Sequence, residues 1–316
     1  YIAIRKGMKP PSAATEVFTA LSRTSPAAYQ PSYPSGFGPV DFFLERDIAT
    51  AHDWNLSTRL NPAKRIVTNE SYNQSNLNDY NLANTPETML GLPSSYGGAD
   101  ADELAWMWKS AEGFFQKVCY IGSGSAGQTV GHSLGVAPEM IWVKGLDTYQ
   151  NWSVYNPNGR LQLLNQTGAE YSAAVTATNF GDGSSVIAPT ATQFTIGAGA
   201  NVNVSTKTFL AFLFATLSGI SKVGSYTGNG SSQTINCGFS AGARFILIKR
   251  TDTTGEWYLW DTVRGIVSGN DPYLRLNSTI AQVTSTDWVD PDNSGFIVNS
   301  TTINASGGNY IFYAIA

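Results

Sequence analysis

The chain has 316 residues, of which 13% are charged and 42% are hydrophobic, and its 19 Lys and Arg against 23 Asp and Glu give a net charge of −4. Binding to nucleic acid is not expected, because phosphate contacts need clustered Lys and Arg and the basic residues form no long run. No stretch of 18 apolar residues occurs, so membrane insertion is not expected either. A charged share of about half the usual value suits β domains within an assembly better than a freely diffusing enzyme.

The first residues predict a strand and a linker. Tyr1 to Arg5 resembles the end of the sequence at residues 314–316, so residues 1–5 are predicted to be the closing strand of a preceding repeat that this sequence lacks. Residues 6–14 contain Pro10 and Pro11, which block both a helix and a central strand, and are predicted to form the linker.

The rest of the chain repeats at a domain-sized period. The segment around Tyr120 recurs around Tyr226, 106 residues later, and Trp152 recurs as Trp257, 105 residues later. A more diverged copy places Trp54 98 residues before Trp152. We therefore predict three domains, at residues 15–109 (repeat one), 113–217 (repeat two) and 219–316 (repeat three), each large enough for a core of its own.

Within each repeat, short apolar runs alternate with Gly, Asn, Asp and Pro, and no amphipathic helix is evident. This pattern predicts an all-β fold of tandem antiparallel β-sandwich domains of jelly-roll or lectin-like type, arranged in series. Leu104 to Trp108 follows an acidic segment that is typical of a helix start, but it matches Phe209 to Phe214 and is predicted to be a strand.

Two parts of repeat one depart from this pattern. Pro26, Pro31 and Pro34 lie where the other copies have a strand and a glycine turn, so the opening strand of repeat one is predicted to be degraded. The run from Tyr72 to Asn84 shows neither helical nor strand periodicity and is predicted to be a surface loop.

Two motifs approach known binding loops. Gly122 to Thr129 nearly matches the phosphate-binding loop, but Gln128 replaces the lysine and no helix is predicted after it, so we interpret the run as a hairpin turn. Asp290 to Gly295 offers oxygen ligands as a calcium loop does, but it lacks the downstream glutamate. We interpret this second run as an Asx-type turn.

Catalytic and metal-binding residues are not predicted. His52 and His132 stand at unrelated positions in their repeats, and candidate carboxylate pairs occur only as near neighbours in the sequence, such as Glu45 and Asp47. No cofactor is predicted. The two cysteines, at positions 119 and 237, are expected to be buried free thiols, with a bridge between repeats as the alternative.

The remaining candidates concern ligand binding. Trp54, Trp152 and Trp257 occupy one position in three copies, which favours a packing role over sugar stacking. Repeat three carries a seven-residue insertion between Trp257 and Asn277, and a loop that departs from its sister copy is where a ligand site is expected. Asp261, Arg264 and Asn277 around this loop are therefore the predicted ligand-binding residues.

Three segments carry a family resemblance: Gly113 to Gly124, His132 to Lys144 and Gly255 to Gly265. They resemble a repeated domain of unknown function found in virion proteins of tailed bacteriophages, often described as tail fibre or tail proteins. The resemblance covers nearly all of residues 113–316 and, more weakly, residues 1–109. It implies a lectin-like jelly-roll sandwich and contributes no ligand residues.

The first hypothesis is a non-enzymatic virion protein, part of a tail fibre or surface appendage, located in the extracellular particle. It would assemble as a homo-oligomer with other virion proteins and contact host surface polysaccharide. The alternative is a purely structural capsid decoration or filament subunit without receptor binding, in which residues 1–5 complete a neighbouring chain's sandwich. A polysaccharide-degrading enzyme is the minor alternative.

Overall fold

Each repeat contains one large and one small antiparallel sheet. The computed structural model describes residues 8–22, 32–60, 64–76, 88–90 and 102–316. Within these residues, repeat one begins with a 3-10 turn, Ala14–Glu16, and has eight strands: β1 (Phe18–Ser22), β2 (Ser32–Pro34), β3 (Phe42–Asp47), β4 (Asn55–Ser57), β5 (Lys64–Val67), β6 (Ser75–Asn76), β7 (Thr88–Leu90) and β8 (Glu103–Trp108). The predicted all-β fold of β-sandwich repeats is confirmed.

Repeats two and three follow the same plan. Repeat two contains β9 (Phe115–Ile121), β10 (Gln128–Gly131), β11 (Met140–Gly145), β12 (Ser153–Tyr155), β13 (Leu161–Leu163), helix α1 (Ala173–Asn179), β14 (Gln193–Ile196) and β15 (Thr208–Phe214). Repeat three contains β16 (Ser221–Thr227), β17 (Gln233–Asn236), β18 (Phe245–Arg250), β19 (Trp257–Asp261), β20 (Leu274–Arg275), β21 (Val289–Asp292), β22 (Gly295–Val298), helix α2 (Thr301–Asn304) and β23 (Asn309–Ile315).

The large sheets share one strand order. Read from the opening strand, the orders are β1-β8-β3-β4-β5-β6, β9-β15-β11-β12-β13 and β16-β23-β18-β19-β20. The opening strand therefore always pairs with the closing strand of its own repeat, as in Phe18 opposite Trp108. The small sheets are β2-β7, β10-β14 and β17-β22-β21.

Several details of the prediction are corrected. The opening strand of repeat one is present as β1, because it precedes the prolines. Of these prolines, Pro34 lies in β2, and Pro26 and Pro31 lie outside the described residues. The strand predicted at residues 1–5 also lies outside them. Within the run from Tyr72 to Asn84, Ser75–Asn76 is a short strand and residues 77–84 lie outside the described residues.

Leu104 to Trp108 was predicted to be a strand although an acidic segment typical of a helix start precedes it. The strand β8 confirms this prediction. Helices were not predicted, yet two short α-helices occur in the part of the chain that the structure describes. Each has a serine N-cap, and the Ser172 side chain accepts a hydrogen bond from Val175 N at the start of α1.

The inner faces of the three large sheets meet in one shared aromatic core. Phe42 of repeat one lies 4.9 Å from Phe212 of repeat two, measured between ring centroids. Phe214 of repeat two lies 5.0 Å from Tyr313 of repeat three. Phe18 of repeat one lies 5.5 Å from Phe245 of repeat three, so every pair of repeats is in contact.

Tryptophan side chains close the three repeats into a ring. The indole Nε1 of Trp54 donates to Arg275 O of repeat three at 2.8 Å, that of Trp152 to Val67 O of repeat one at 2.8 Å, and that of Trp257 to Leu163 O of repeat two at 3.1 Å. The three indoles are buried, so the packing role predicted for them is confirmed. The repeats are tandem in sequence, but they are not strung out in series: they surround a common axis.

Each repeat also keeps a cluster of its own between its large and small sheets, seen at Phe43, Phe194 and Phe296 in the three repeats. A domain core was predicted for each repeat. The shared core is an additional feature that only the ring arrangement creates.

Candidate functional site

Asp261 and Arg264, two of the predicted ligand-binding residues, lie inside the contact between repeats one and three. Asp261 is fully buried, and its Oδ2 accepts hydrogen bonds from Arg264 Nε at 2.8 Å and Trp106 Nε1 at 3.2 Å. The Arg264 side chain is 4% exposed. These side chains hold the two repeats together and are almost wholly buried, which argues against the ligand-binding role predicted for this pair.

Asn277, the third of these residues, holds a tryptophan backbone. Its Oδ1 accepts a hydrogen bond from Trp257 N at 2.9 Å, and its Nδ2 donates to Glu256 Oε2 at 2.5 Å. Asn69 and Asn165 accept the same bond from Trp54 N and Trp152 N. The recurrence of asparagine in all three copies was the sequence signal for a structural role, which argues against ligand binding at Asn277.

Buried basic side chains recur at the end of each central strand, at Arg46, Lys144 and Lys249. Burial lowers the pKa of Lys249 to about 8, a value that suits a reactive amine. However, its Nζ donates to three main-chain carbonyls, Thr167 O, Gly168 O and Gly255 O, at 2.8–2.9 Å. Lys249 therefore joins repeat three to repeat two and is not available as a nucleophile.

The glycine-rich run Gly122 to Thr129 is not a hairpin turn. It connects β9 to β10, which belong to different sheets. The main-chain N–H groups of Ser123 and Gly124 donate to Asn203 Oδ1 at 2.7 and 3.0 Å. Since these N–H groups already have an acceptor, the run does not form a phosphate cradle.

The run from Asp290 to Gly295 behaves as predicted. Asp292 Oδ1 accepts hydrogen bonds from Ser294 N at 2.8 Å and Ser294 Oγ at 2.6 Å, which confirms the Asx-type turn between β21 and β22. Among the described residues, no three His, Cys, Asp or Glu side chains are placed to share a metal ion. His52 lies 3.7 Å from Asp47, and His132 accepts a hydrogen bond from Leu134 N.

The two cysteines are free thiols. Cys237 is buried, as expected, and burial raises its pKa to about 12. Cys119 is exposed on β9, so the expectation of two buried thiols is wrong for this residue. The strand β9 lies at an edge of its sheet, which explains the exposure.

A polar groove of about 700 Å³ lies where repeats two and three meet. We call it the 2/3 groove. Hydroxyl, amide and carboxylate side chains line it: Asn158 and Glu170 from repeat two, and Ser225, Thr227, Asp252 and Asn309 from repeat three. Its size is within the range of small-molecule sites.

Main-chain contacts between the repeats position these side chains. Glu170 N donates to Thr251 O at 2.8 Å, which fixes the segment of repeat two against the end of β18. The Glu170 Oε2 atom accepts hydrogen bonds from Asn156 Nδ2 at 3.0 Å and Asn158 Nδ2 at 3.1 Å. The carboxylate is thereby held at the wall of the groove.

Asp252 forms the opposite wall. Its two carboxylate oxygens accept hydrogen bonds from Arg250 Nε and Nη2, each at 2.9 Å, and Asn309 N donates to Oδ1 at 3.0 Å. The Arg250 hydrogen bonds, more than the main-chain one, hold the pKa of Asp252 below its usual range. Nearby, Thr227 Oγ1 and Asn309 Oδ1 are 3.2 Å apart.

The groove combines two carboxylates with hydroxyl and amide groups. Such a lining hydrogen-bonds a polyhydroxylated, uncharged ligand in several directions, whereas the carboxylates disfavour an anion. None of these residues was predicted. A comparison of the repeats could have indicated this site, because the end of β16 and the start of β23 are more polar than their counterparts in repeat two. Ser225, Thr227 and Asn309 stand there in place of Cys119, Ile121 and Thr208.

The fold and the groove define an all-β protein built from three β-sandwich repeats closed around one core. Residues 109–316 match the model of a family described as a domain of unknown function, DUF7483, and the chain belongs to that family. The match covers repeats two and three. No curated protein and no solved structure matches the chain. No helix among the described residues is long and apolar enough to cross a membrane.

Proposed function

We propose that the protein is a non-enzymatic component of a tailed-bacteriophage virion, in a tail fibre or surface appendage, and that its 2/3 groove binds a host surface glycan. The observation that carries the binding part is the chemistry of the groove, in which uncharged hydrogen-bonding groups of Ser225, Thr227 and Asn309 face two carboxylates. Sugar hydroxyls donate to carboxylates and accept from amides and hydroxyls. The family resemblance of the sequence supports the virion part.

The assembly part rests on composition. A low charge content and exposed, uncharged polar faces suit a subunit that contacts copies of itself and other virion proteins. The partners proposed are therefore the same chain, other virion proteins and host polysaccharide, and the proposed location is the extracellular particle.

Glycan binding is tested with an array of bacterial surface polysaccharides, followed by calorimetry on the hits. We expect Glu170→Gln to weaken binding about tenfold, because a charge-assisted hydrogen bond contributes roughly 1.5 kcal/mol. Asn309→Ala is expected to act in the same direction. Glu112→Gln, a substitution of the same type at a distance from the groove, serves as the control.

Three results would contradict parts of the proposal. Unchanged affinity in both groove variants would remove the groove as the site. A protein found in purified particles that binds no glycan would favour the purely structural alternative. Release of oligosaccharide from host polysaccharide would contradict the non-enzymatic assignment.

A further inference from the structure

The junction between repeats one and two has the same main-chain frame as the 2/3 groove. Gln74 N donates to Leu146 O at 2.9 Å, as Glu170 N does to Thr251 O. Thr208 N donates to Asp147 Oδ1 at 3.0 Å, which repeats the bond from Asn309 N to Asp252 Oδ1. A carboxylate therefore occupies the same place in both junctions.

The carboxylate of Asp147 lacks the arginine partner that Asp252 has. Gly145 stands at the position of Arg250, and a Cβ atom added there would lie 2.6 Å from Thr148 Cγ2 and 3.3 Å from a ring carbon of Phe209. A side chain at that position would therefore have to displace the Thr148 methyl group. Asp147 is exposed, and within the described part of the chain its Oδ2 accepts no hydrogen bond.

Two exposed aromatic rings lie at the same junction, and one of them is two residues from Asp147 in the chain. Tyr149, in the same loop as Asp147, is 68% exposed, and Tyr72 from repeat one is 51% exposed. Their ring centroids are 6.3 Å apart and the ring planes cross at 82°. Together they form a right-angled corner, which we call the tyrosine corner, with one wall from each repeat.

We propose that the tyrosine corner and Asp147 form a second carbohydrate site, which takes a neutral pyranose. The apolar C–H face of the sugar would pack on Tyr149, and two neighbouring hydroxyls would donate to the Asp147 carboxylate. An aromatic ring offers apolar surface with a polar edge, which matches the two faces of a pyranose. The inference shares its ligand class with the proposed function but uses a different site.

The corner suits a small ligand better than a protein surface. Stable protein interfaces bury about 800 Å² on each partner and have depleted charge at their centre. Here two exposed rings cross at 82°, and Asp147, whose Oδ2 accepts no hydrogen bond within the described residues, lies two residues from Tyr149 in the chain. A sugar satisfies that carboxylate with hydroxyl donors, which an apolar protein contact does not.

The test uses the whole chain labelled with 3-fluorotyrosine and titrated with methyl β-glucoside and methyl β-galactoside, followed by fluorine NMR. Tyr72→Phe and Tyr149→Phe assign the two resonances. We expect both resonances to shift in a saturable way with at least one of the two sugars. Asp147→Asn is expected to weaken binding about fivefold or more, and Tyr149→Ala to abolish it.

Matched controls separate this site from the 2/3 groove. Asp252→Asn and Glu170→Gln should leave the titration of the Tyr149 resonance unchanged, whatever they do to binding in the groove. If the Tyr149 resonance titrates while the groove variants have no effect on any glycan, the inference stands and the proposed groove fails. If only the resonances of Tyr226 and Tyr310, which also line the 2/3 groove, respond, the inference fails and the groove stands.

Two further outcomes overturn the inference. One is the absence of a saturable shift at Tyr72 and Tyr149 up to about 100 mM of either sugar, well beyond the millimolar range of weak specific binding. The other is a change of oligomeric state on Tyr149→Ala, measured by analytical ultracentrifugation, with sugar binding intact. Because both rings are exposed, these variants should keep the wild-type melting temperature, which verifies that they fold.

Discussion

The two junctions formed by repeat two have one main-chain frame and different side chains. At the junction with repeat three, Ser225 and Thr227 line a polar groove and Arg250 pairs with Asp252. At the junction with repeat one, the equivalent positions hold Cys119 and Ile121, and Asp147 has no arginine. The hydrogen bonds that close the ring are the same in both. Ring closure therefore constrains the backbone and the tryptophans, while the edge strands remain free to diverge in chemistry.

The largest expected effect comes from removing a tryptophan of the ring. Trp152→Ala and Trp257→Ala should each destabilise the protein by about 3–5 kcal/mol, because each empties a large buried volume and leaves a carbonyl without its donor. Urea unfolding measures the loss. If the two junctions share one main-chain arrangement, the two variants should lose similar amounts of unfolding free energy. A loss near zero in one variant would show that the junctions are not equivalent.

The second largest effect is a pH dependence of stability caused by Asp271. This residue lies in the inserted loop of repeat three, which has no counterpart in repeat two. Burial raises the pKa of Asp271 to about 6, with main-chain N–H groups of Val267 and Val289 opposing the shift. Between about pH 4 and pH 6 the folded chain thus holds a proton that the unfolded chain has released. Stability from this group is present below pH 4 and is lost as the pH rises through 6, by up to about 3 kcal/mol.

Unfolding midpoints from pH 4 to pH 7 measure this dependence. Asp271→Asn cannot ionise, so the difference in stability between wild type and variant should change with pH in that window. A difference that stays constant from pH 4 to pH 7 would show that Asp271 titrates normally.

Asparagine substitutions give a smaller and more local effect. Asn165→Ala and Asn277→Ala each remove the acceptor of a tryptophan N–H group and should cost about 2 kcal/mol, as expected for an unsatisfied buried donor. Thermal unfolding is the measurement, with Asn158→Ala as a matched control on the surface. A loss confined to one of the two variants would mean that the asparagines are not equivalent.

Arg250→Gly should have the smallest effect on stability. It also tests the difference between the two junctions most directly, because it gives the junction of repeats two and three the glycine found at the other junction. It converts Arg250, the ion-pair partner of Asp252, to the residue found at position 145 and removes that partner from the carboxylate. A partly exposed ion pair contributes about 0.2–1 kcal/mol and glycine in a strand costs about 0.5–1 kcal/mol, so we expect a loss of stability of about 1–2 kcal/mol. The pKa of Asp252, followed by carbon NMR, should rise towards its ordinary range, and an unchanged pKa would assign its lowering to Asn309 N alone.

The internal repeats made most of the strands predictable. Alignment of the copies identified β8 as a strand against its local helix signal, and it placed Trp54, Trp152 and Trp257 in the interior. The alignment was sufficient here because the copies share one pattern of apolar runs and turns, on which sheet pairing within a repeat depends.

The ring and the groove were not predictable in the same way. The acceptors of the tryptophan indoles are main-chain carbonyls such as Leu163 O, which carry no side-chain signal. The groove joins residues far apart in sequence, such as Glu170 and Asn309, each of which is an ordinary surface residue on its own. Asp261 was assigned to a ligand because the loop after it differs between copies, but its carboxylate accepts a hydrogen bond from Trp106 Nε1 of repeat one.

Closure through the indole hydrogen bonds also limits how such a chain can change in length. In an open array a unit is added or deleted at an end, and only one interface is altered. Here every unit serves as donor to one neighbour and as acceptor for the other, so deletion of any one opens two interfaces and uncovers the aromatic centre. The closed ring therefore fixes the number of repeats, and the repeats diverge by substitution of their exposed side chains.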